Sequence, residues 1–187
     1  LLTDKYQETK YAVLGPDIVT SDGYHQNPAI VKEKWSFTEL AVFRIKARIK
    51  MFLTSLKVPY ISRFLRQRDV NYQIKEVVRG DFCDVRLHGA CLIFSPQYIA
   101  LFDGLYDKTF LYMEEDILKL IVDHNGLKTL YSSDLQVFHN RHASTKAEIT
   151  DDTKRLINYY RHQIRSSKQF ERLKWSYLKE DLQKRLR

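Results

Sequence analysis

Only two cysteines occur in 187 residues, Cys83 and Cys91. They are too few for a disulfide scaffold, and neither has a His or Cys partner at metal-site spacing. That scarcity fits a reducing compartment, so a cytoplasmic location is the expectation. Long apolar runs are missing too. No stretch approaches the roughly 20 residues needed to cross a bilayer, no secretory signal is visible, and no internal repeat or low-complexity tract occurs. The chain opens on Leu1 rather than Met, on a polar segment leading into a strand, so further sequence upstream is expected and the chain reads as a fragment.

Acids are absent from one place in particular. From Leu40 to Arg68 the chain carries Arg44, Lys46, Arg48, Lys50, Lys57, Arg63, Arg66 and Arg68 and no Asp or Glu. Of the 31 basic residues, the 23 outside this segment equal the 23 acids, so the segment holds the whole formal charge of +8. Elsewhere the composition is that of a globular chain. With 44% hydrophobic and 13% aromatic residues, it can bury one sizeable core, at most with a small appendage.

Within the basic segment, Val42, Ile45, Ile49, Phe52, Leu53 and Leu56 fall on one helical face at spacings of i, i+3, i+4 and i+7. Lys46, Lys50 and Lys57 flank it on one side, Arg44 and Arg48 on the other. The pattern predicts an amphipathic basic helix over about 38–58, ending near Pro59. Three readings compete: a core helix with a solvated rim, a helix lying on an anionic membrane surface, and a nucleic-acid patch. Long Lys and Arg stems beside an apolar stripe suit an interface, because the stems cover apolar surface while their charged heads stay wet. The wheel by itself does not choose.

Around that helix, strands and helices alternate. "YAVLGPDIV" predicts a short strand broken at Gly15-Pro16, and "TSDGYHQNP" a polar loop. "YQIKEVV" and "CDVRLHGACLIF" carry strand spacing. Ser95 and Pro96 predict the N-cap and first residue of a short helix ending by Asp103-Gly104. Ile117, Leu118, Leu120 and Ile121 predict a helix closed by Asn125-Gly126. "LKTLYSSDLQVFH" predicts a strand or two, and about 147–187 a charged helical tail. The expectation is an α/β chain whose first domain spans residues 1–146.

"TFLYMEEDILKL" sets Glu114, Glu115 and Asp116 at a helix start. There the macrodipole favours carboxylates by about 0.3 to 1 kcal/mol each, which is a sufficient structural reason for them. Residues stepping by about 100° cannot all serve one site.

The wider stretch is more specific. A strand expected to end in Gly89-Ala90-Cys91, then "FSP", "FDG", "TFLYMEED", "NGLKTLY" and "VFH" followed by Ser144, together with the upstream "AVLGPDIVTSDGYHQNP", resembles the C-terminal, acceptor-side half of family 2 glycosyltransferases of the GT-A fold. Bacterial enzymes that build capsular and other surface polysaccharides are the nearest likeness, and it covers about residues 11–145. It implies a partial GT-A-like mixed sheet flanked by helices, with a helical C-terminal tail.

The resemblance also implies roles. "FLYMEE" is similar to the family's acidic motif, whose second acid is the general base on the acceptor hydroxyl in an inverting transfer. That position is Glu115. Many relatives carry Asp there, and Asp116 follows here, so Glu114 and Asp116 stand as alternates. His139 resembles a histidine that helps hold the divalent metal or the diphosphate, and an imidazole suits Mn²⁺ better than Mg²⁺. The other reading is a histidine satisfied at a strand end. His88, Gly89 and Ala90 resemble a small-residue strand end beneath sugar and acceptor, although packing accounts for them almost as well. Tyr112 is placed in the acceptor cleft, or equally in a core.

One family element is missing. Donor binding in this family uses an Asp-x-Asp pair on the N-terminal half, bridging Mn²⁺ or Mg²⁺ to the diphosphate. No Asp-x-Asp and no glycine-rich phosphate loop occurs in these residues. The chain is thus expected neither to bind a nucleotide sugar tightly nor to turn over alone. A glycan or lipid-linked acceptor would place the basic helix beside anionic lipid at the inner face of the cell membrane. The rival is a non-catalytic binding module, whether a repurposed transferase domain or a nucleic-acid binder. For the latter no known motif is present.

Overall fold

The computed structural model of the protein describes residues 1–28, 35–56, 75–140 and 152–186. Among them the elements run α1 (Leu2–Thr9), β1 (Val13–Thr20), α2 (Phe37–Ser55), β2 (Asp81–Cys83), β3 (Ile93–Phe94), α3 (Pro96–Leu101), α4 (Glu114–His124), β4 (Thr129–His139) and α5 (Asp152–Arg185). The class is α/β, with a four-stranded mixed open sheet in the order β2-β4-β1-β3. The described residues form two compact units. One holds 1–28, 75–106 and 115–140; the other holds 35–56, 107–114 and 152–186. The expected domain boundary at 146 lies outside the described residues, and the units interleave along the chain.

In the first unit β1 pairs parallel with β4 and antiparallel with β3, while β2 pairs antiparallel with β4. Side chains alternate across a strand, so neighbours on β1 enter different clusters. Ala12 and Val13 pack with Tyr131, Leu118, Val122 and Tyr98, whereas Leu14 packs with Tyr11, Leu130 and Ile93. With both faces covered, β1 is buried along nearly its whole length rather than at alternate positions. Fully burying a residue such as Leu14 or Val122 contributes roughly 1.5–3 kcal/mol.

Several expectations change. Residues 2–9 are a helix, tied down by Lys5, whose Nζ donates to Asp81 Oδ2 and Asp134 Oδ2 at 2.7 Å each. β1 is not broken at Gly15-Pro16. Instead its register shifts there: Pro16 faces Ser132 and Asp17 faces Gln136, so Ser133, Asp134 and Leu135 are passed over. Pro16 has no N–H to offer the ladder. Gly15 has no room for a side chain, since a Cβ would lie 2.7 Å from Leu87 Cδ2.

Residues 75–78 are not a strand, and 72–74 lie outside the described residues. "CDVRLHGACLIF" contributes only the end of β2 and all of β3. Asp84 takes φ 59°, which turns the chain out of extended conformation, so Gly89-Ala90-Cys91 lies in a loop and not at a strand end.

α3 and α4 follow their local signals. Ser95 Oγ accepts from Tyr98 N–H, with Pro96 next. α4 buries Ile117, Leu118, Ile121 and Val122 and ends in a Schellman motif. There Leu127 N–H donates to Val122 O, Gly126 N–H donates to Asp123 O, and Gly126 takes φ 65°.

In the second unit α2 starts at a capping box. Ser36 Oγ accepts from Glu39 N–H, and Glu39 Oε2 accepts from Ser36 N–H. α2 and α5 run antiparallel, as the contacts Phe37 to Trp175, Arg44 to Glu171 and Lys50 to Tyr160 require. The face α2 buries is not the apolar stripe. Leu40, Ala47 and Thr54, seven apart, are buried, whereas Val42, Ile45, Ile49 and Phe52 are exposed. The core-helix reading of that stripe is thereby corrected. Position 57 and those beyond it, where the helix was expected to end, lie outside the described residues. Among the described residues no helix is long and apolar enough to cross a membrane.

Candidate functional site

Tyr112 and Met113 take left-handed backbone angles, φ 70° and 65°, of a kind that costs on the order of 1–3 kcal/mol per residue. They stop the aromatic stretch from continuing as strand or helix, so Glu114 becomes the first helical residue. The three acids then diverge. Glu114 groups with the second unit. Asp116 Oδ1 accepts from Arg86 Nη1 at 2.9 Å, its side chain 12% exposed, and is committed to a guanidinium. Glu115 Oε1 accepts from Gly89 N–H at 3.2 Å and has no cationic partner among the described residues. The loop must come close for this contact: a Cβ on Gly89 would lie 3.3 Å from the same oxygen.

His88, adjoining Gly89, is linked to His139 at the end of β4. The rings lie 6.2 Å apart with the Gln26 amide between them, 2.8 Å from His139 Nδ1 and 3.2 Å from His88 Nε2. Ala90 N–H donates to His88 Nδ1 at 3.1 Å. As placed, His139 Nδ1–H donates to Gln26 Oε1, and Gln26 Nε2 faces His88 Nε2.

Behind these groups lies a scaffold that the sequence reading missed. Asp17, on β1 and fully buried, accepts from His25 Nδ1–H at 2.7 Å and from Gln136 Nε2–H at 3.0 Å. Asn27 donates to Pro16 O at 2.8 Å and accepts from His88 N–H at 2.7 Å, pinning the His88 loop to β1. Tyr131 OH donates to Val78 O at 2.8 Å; burial first, then the Asp17 charge, pushes its pKa up to about 12. One signal was available: an Asp inside the apolar run "VLGPDIV" must find buried partners. His25, Gln26 and Asn27 had no such mark in a loop rich in turn residues.

The structure thus brings together Glu115, Gly89, His88, Ala90 and His139. Tyr112 belongs to the second unit, where its ring is edge-on to Tyr159 of α5 at 4.6 Å. Among the described residues no three His, Cys, Asp or Glu side chains gather as a cation site. Without such a set, the cluster does not by itself fit a bound divalent metal. Chemically, it can take a proton at a carboxylate and set imidazole and backbone polar groups beside a ligand. Comparison with protein-family models, with curated proteins and with solved structures finds no match to this chain.

Proposed function

We propose that this chain is the acceptor-side part of a glycosyltransferase that moves a sugar, with inversion, from a nucleotide-sugar donor to a glycan or lipid-linked acceptor in bacterial surface polysaccharide synthesis. The contact between Glu115 and the Gly89 N–H carries the reading. It holds one carboxylate, free of cations among the described residues, against a loop tied to two histidines. The motif likeness of "TFLYMEED" supplies the reaction class.

In the proposed reaction the acceptor oxygen bonds to the anomeric carbon as that carbon's bond to the diphosphate breaks. The hydroxyl proton passes to Glu115, and the nucleoside diphosphate leaves with the electron pair. Gly89 N–H and the scaffold beneath it fix the direction of the carboxylate. His139 is held at the end of β4 by its bond to Gln26 Oε1. Asp116 is already paired with Arg86. Donor and cation binding are assigned to sequence outside these residues, since no Asp-x-Asp occurs within them.

The test uses the full-length gene product with Glu115→Gln, assayed against a panel of nucleotide sugars. Turnover should fall about 10²- to 10⁴-fold with donor affinity unchanged; undiminished turnover removes Glu115 from the reaction and leaves a non-catalytic module. Calorimetric titration of this chain with UDP-sugars and Mn²⁺ should show no tight binding. Micromolar binding would place the donor site within it.

A further inference from the structure

On α2, Val42, Ile45, Ile49 and Phe52, continued by Leu56 at the C-cap, recur at alternating steps of three and four. Their exposures are 47, 52, 53, 63 and 51%. Single exposed apolar residues are ordinary on a protein surface, but a continuous line of five marks an interaction face.

Beside it lies a basic cleft of about 420 Å³ within the second unit. Arg44 and Arg48 of α2 and Lys168 and Arg172 of α5 line it, with Glu171 as the acid among them and Ile45 of the stripe in its wall. Glu171 Oε1 accepts from Arg44 Nη2 at 2.9 Å. Arg44 Nη1 is buried and has no hydrogen-bond partner among the described residues, and a buried donor of a charged group left unmet is costly. Four cations against one carboxylate, an unmet guanidinium N–H and an adjoining apolar line call for a ligand with an anionic, oxygen-rich head and an apolar body.

We propose that the α2–α5 pair docks on an anionic phospholipid bilayer. The stripe lies at the acyl boundary, and the cleft receives a lipid phosphate, whose oxygen accepts from Arg44. Charge complementarity selects this occupant. Along α2, residues 40–56 carry Arg44, Lys46, Arg48 and Lys50 and no acid, and such clusters are drawn to anionic lipid. A second copy of the chain would cover the stripe but set two basic clefts near each other, and nucleic acid gives the apolar line nothing to pack on. No described helix is suited to span the bilayer, so the helix lies along the surface. Docking of this unit would hold whether or not the other unit transfers sugars.

The test is co-sedimentation of this chain with phosphatidylcholine vesicles, with and without phosphatidylglycerol. Pelleting should appear with the anionic lipid and weaken as salt is raised. Arg48→Glu should lower affinity at least about tenfold. Ile49→Ser with Phe52→Ser, at exposed positions where circular dichroism should be unchanged, should abolish pelleting. Inorganic phosphate alone should not bind tightly enough to compete. Equal pelleting on neutral and anionic vesicles overturns the proposal. So does no pelleting, whether the stripe instead joins two copies, seen as a dimer that Ile49→Ser breaks, or the cleft takes free phosphate or nucleic acid. If a variant fails to fold, the comparison of the two vesicle types with the unaltered chain still decides.

Discussion

Gln26 shows how much a single side chain can organise. Its amide lies between the His88 and His139 rings, and its oxygen accepts from His139 Nδ1–H. Gln26→Leu keeps the bulk and removes both bonds. It should destabilise the protein by about 1–2 kcal/mol in denaturant titration. It should also release His139 from the Nδ1–H tautomer that the Gln26 oxygen holds, read from imidazole ¹⁵N shifts. Unchanged His139 shifts in the variant would show that this bond does not set the tautomer. None of this was legible from residues: Gln26 follows His25 and precedes Asn27 in a stretch whose turn residues announce only a loop. Glu115 was legible as one of three acids at a helix start. Its separation from Asp116 was not, because Arg86 is 30 positions away.

Elements decided by near neighbours were read well. Ser95 and Pro96 start α3, and Asn125-Gly126 ends α4, because a cap is settled by groups within a turn of the chain. Ser36-Phe37-Thr38-Glu39 is a capping box of the same kind, present in the sequence and not used. Gly126→Ala should cost about 1 kcal/mol in thermal or chemical denaturation, with Gly126→Asn falling between the two. An alanine variant as stable as the parent would mean that the left-handed residue is not what closes the helix. Strands fared worse. "CDVRLHGACLIF" has strand-forming residues, yet most of it is loop, because Asp84 turns back and the segment is held by Thr129, whose Oγ1 donates to Val85 O at 2.6 Å. Propensity describes a fit to a half-buried surface, and β4 alone provides that surface only to β2 and β1.

Across the whole chain, charge and distance set the terms. Lys5 is bonded to acids 76 and 129 positions away. Its burial lowers its pKa, but the bonds to Asp134 and Asp81 outweigh this and leave it above 10.5. Asp81 is raised by burial yet brought below 3.8 on balance by Lys5. The Lys5 contribution is therefore complete below about pH 10.5 and lost as pH rises through its raised value. The Asp81 contribution is complete above about pH 4 and lost as pH falls through its lowered value. Lys5→Met should lower stability at neutral pH by about 1–3 kcal/mol, toward the small end because Asp134 is 56% exposed. It should also flatten the pH profile at both edges, measured by urea unfolding from acid to alkaline pH. An unchanged profile would show that the triad does not act.

What the residues alone determined is the α/β class, the caps, the helical C-terminal segment and the place of the excess positive charge, all of which depend on composition or on contacts within a few residues. What the tertiary structure decided is the sheet order, the shifted β1–β4 register, which acid meets Gly89, and which face of α2 is covered. That helix offers two usable faces, Leu40-Ala47-Thr54 and Val42-Ile45-Ile49-Phe52, and a periodicity cannot say which one a partner more than a hundred residues away will bury.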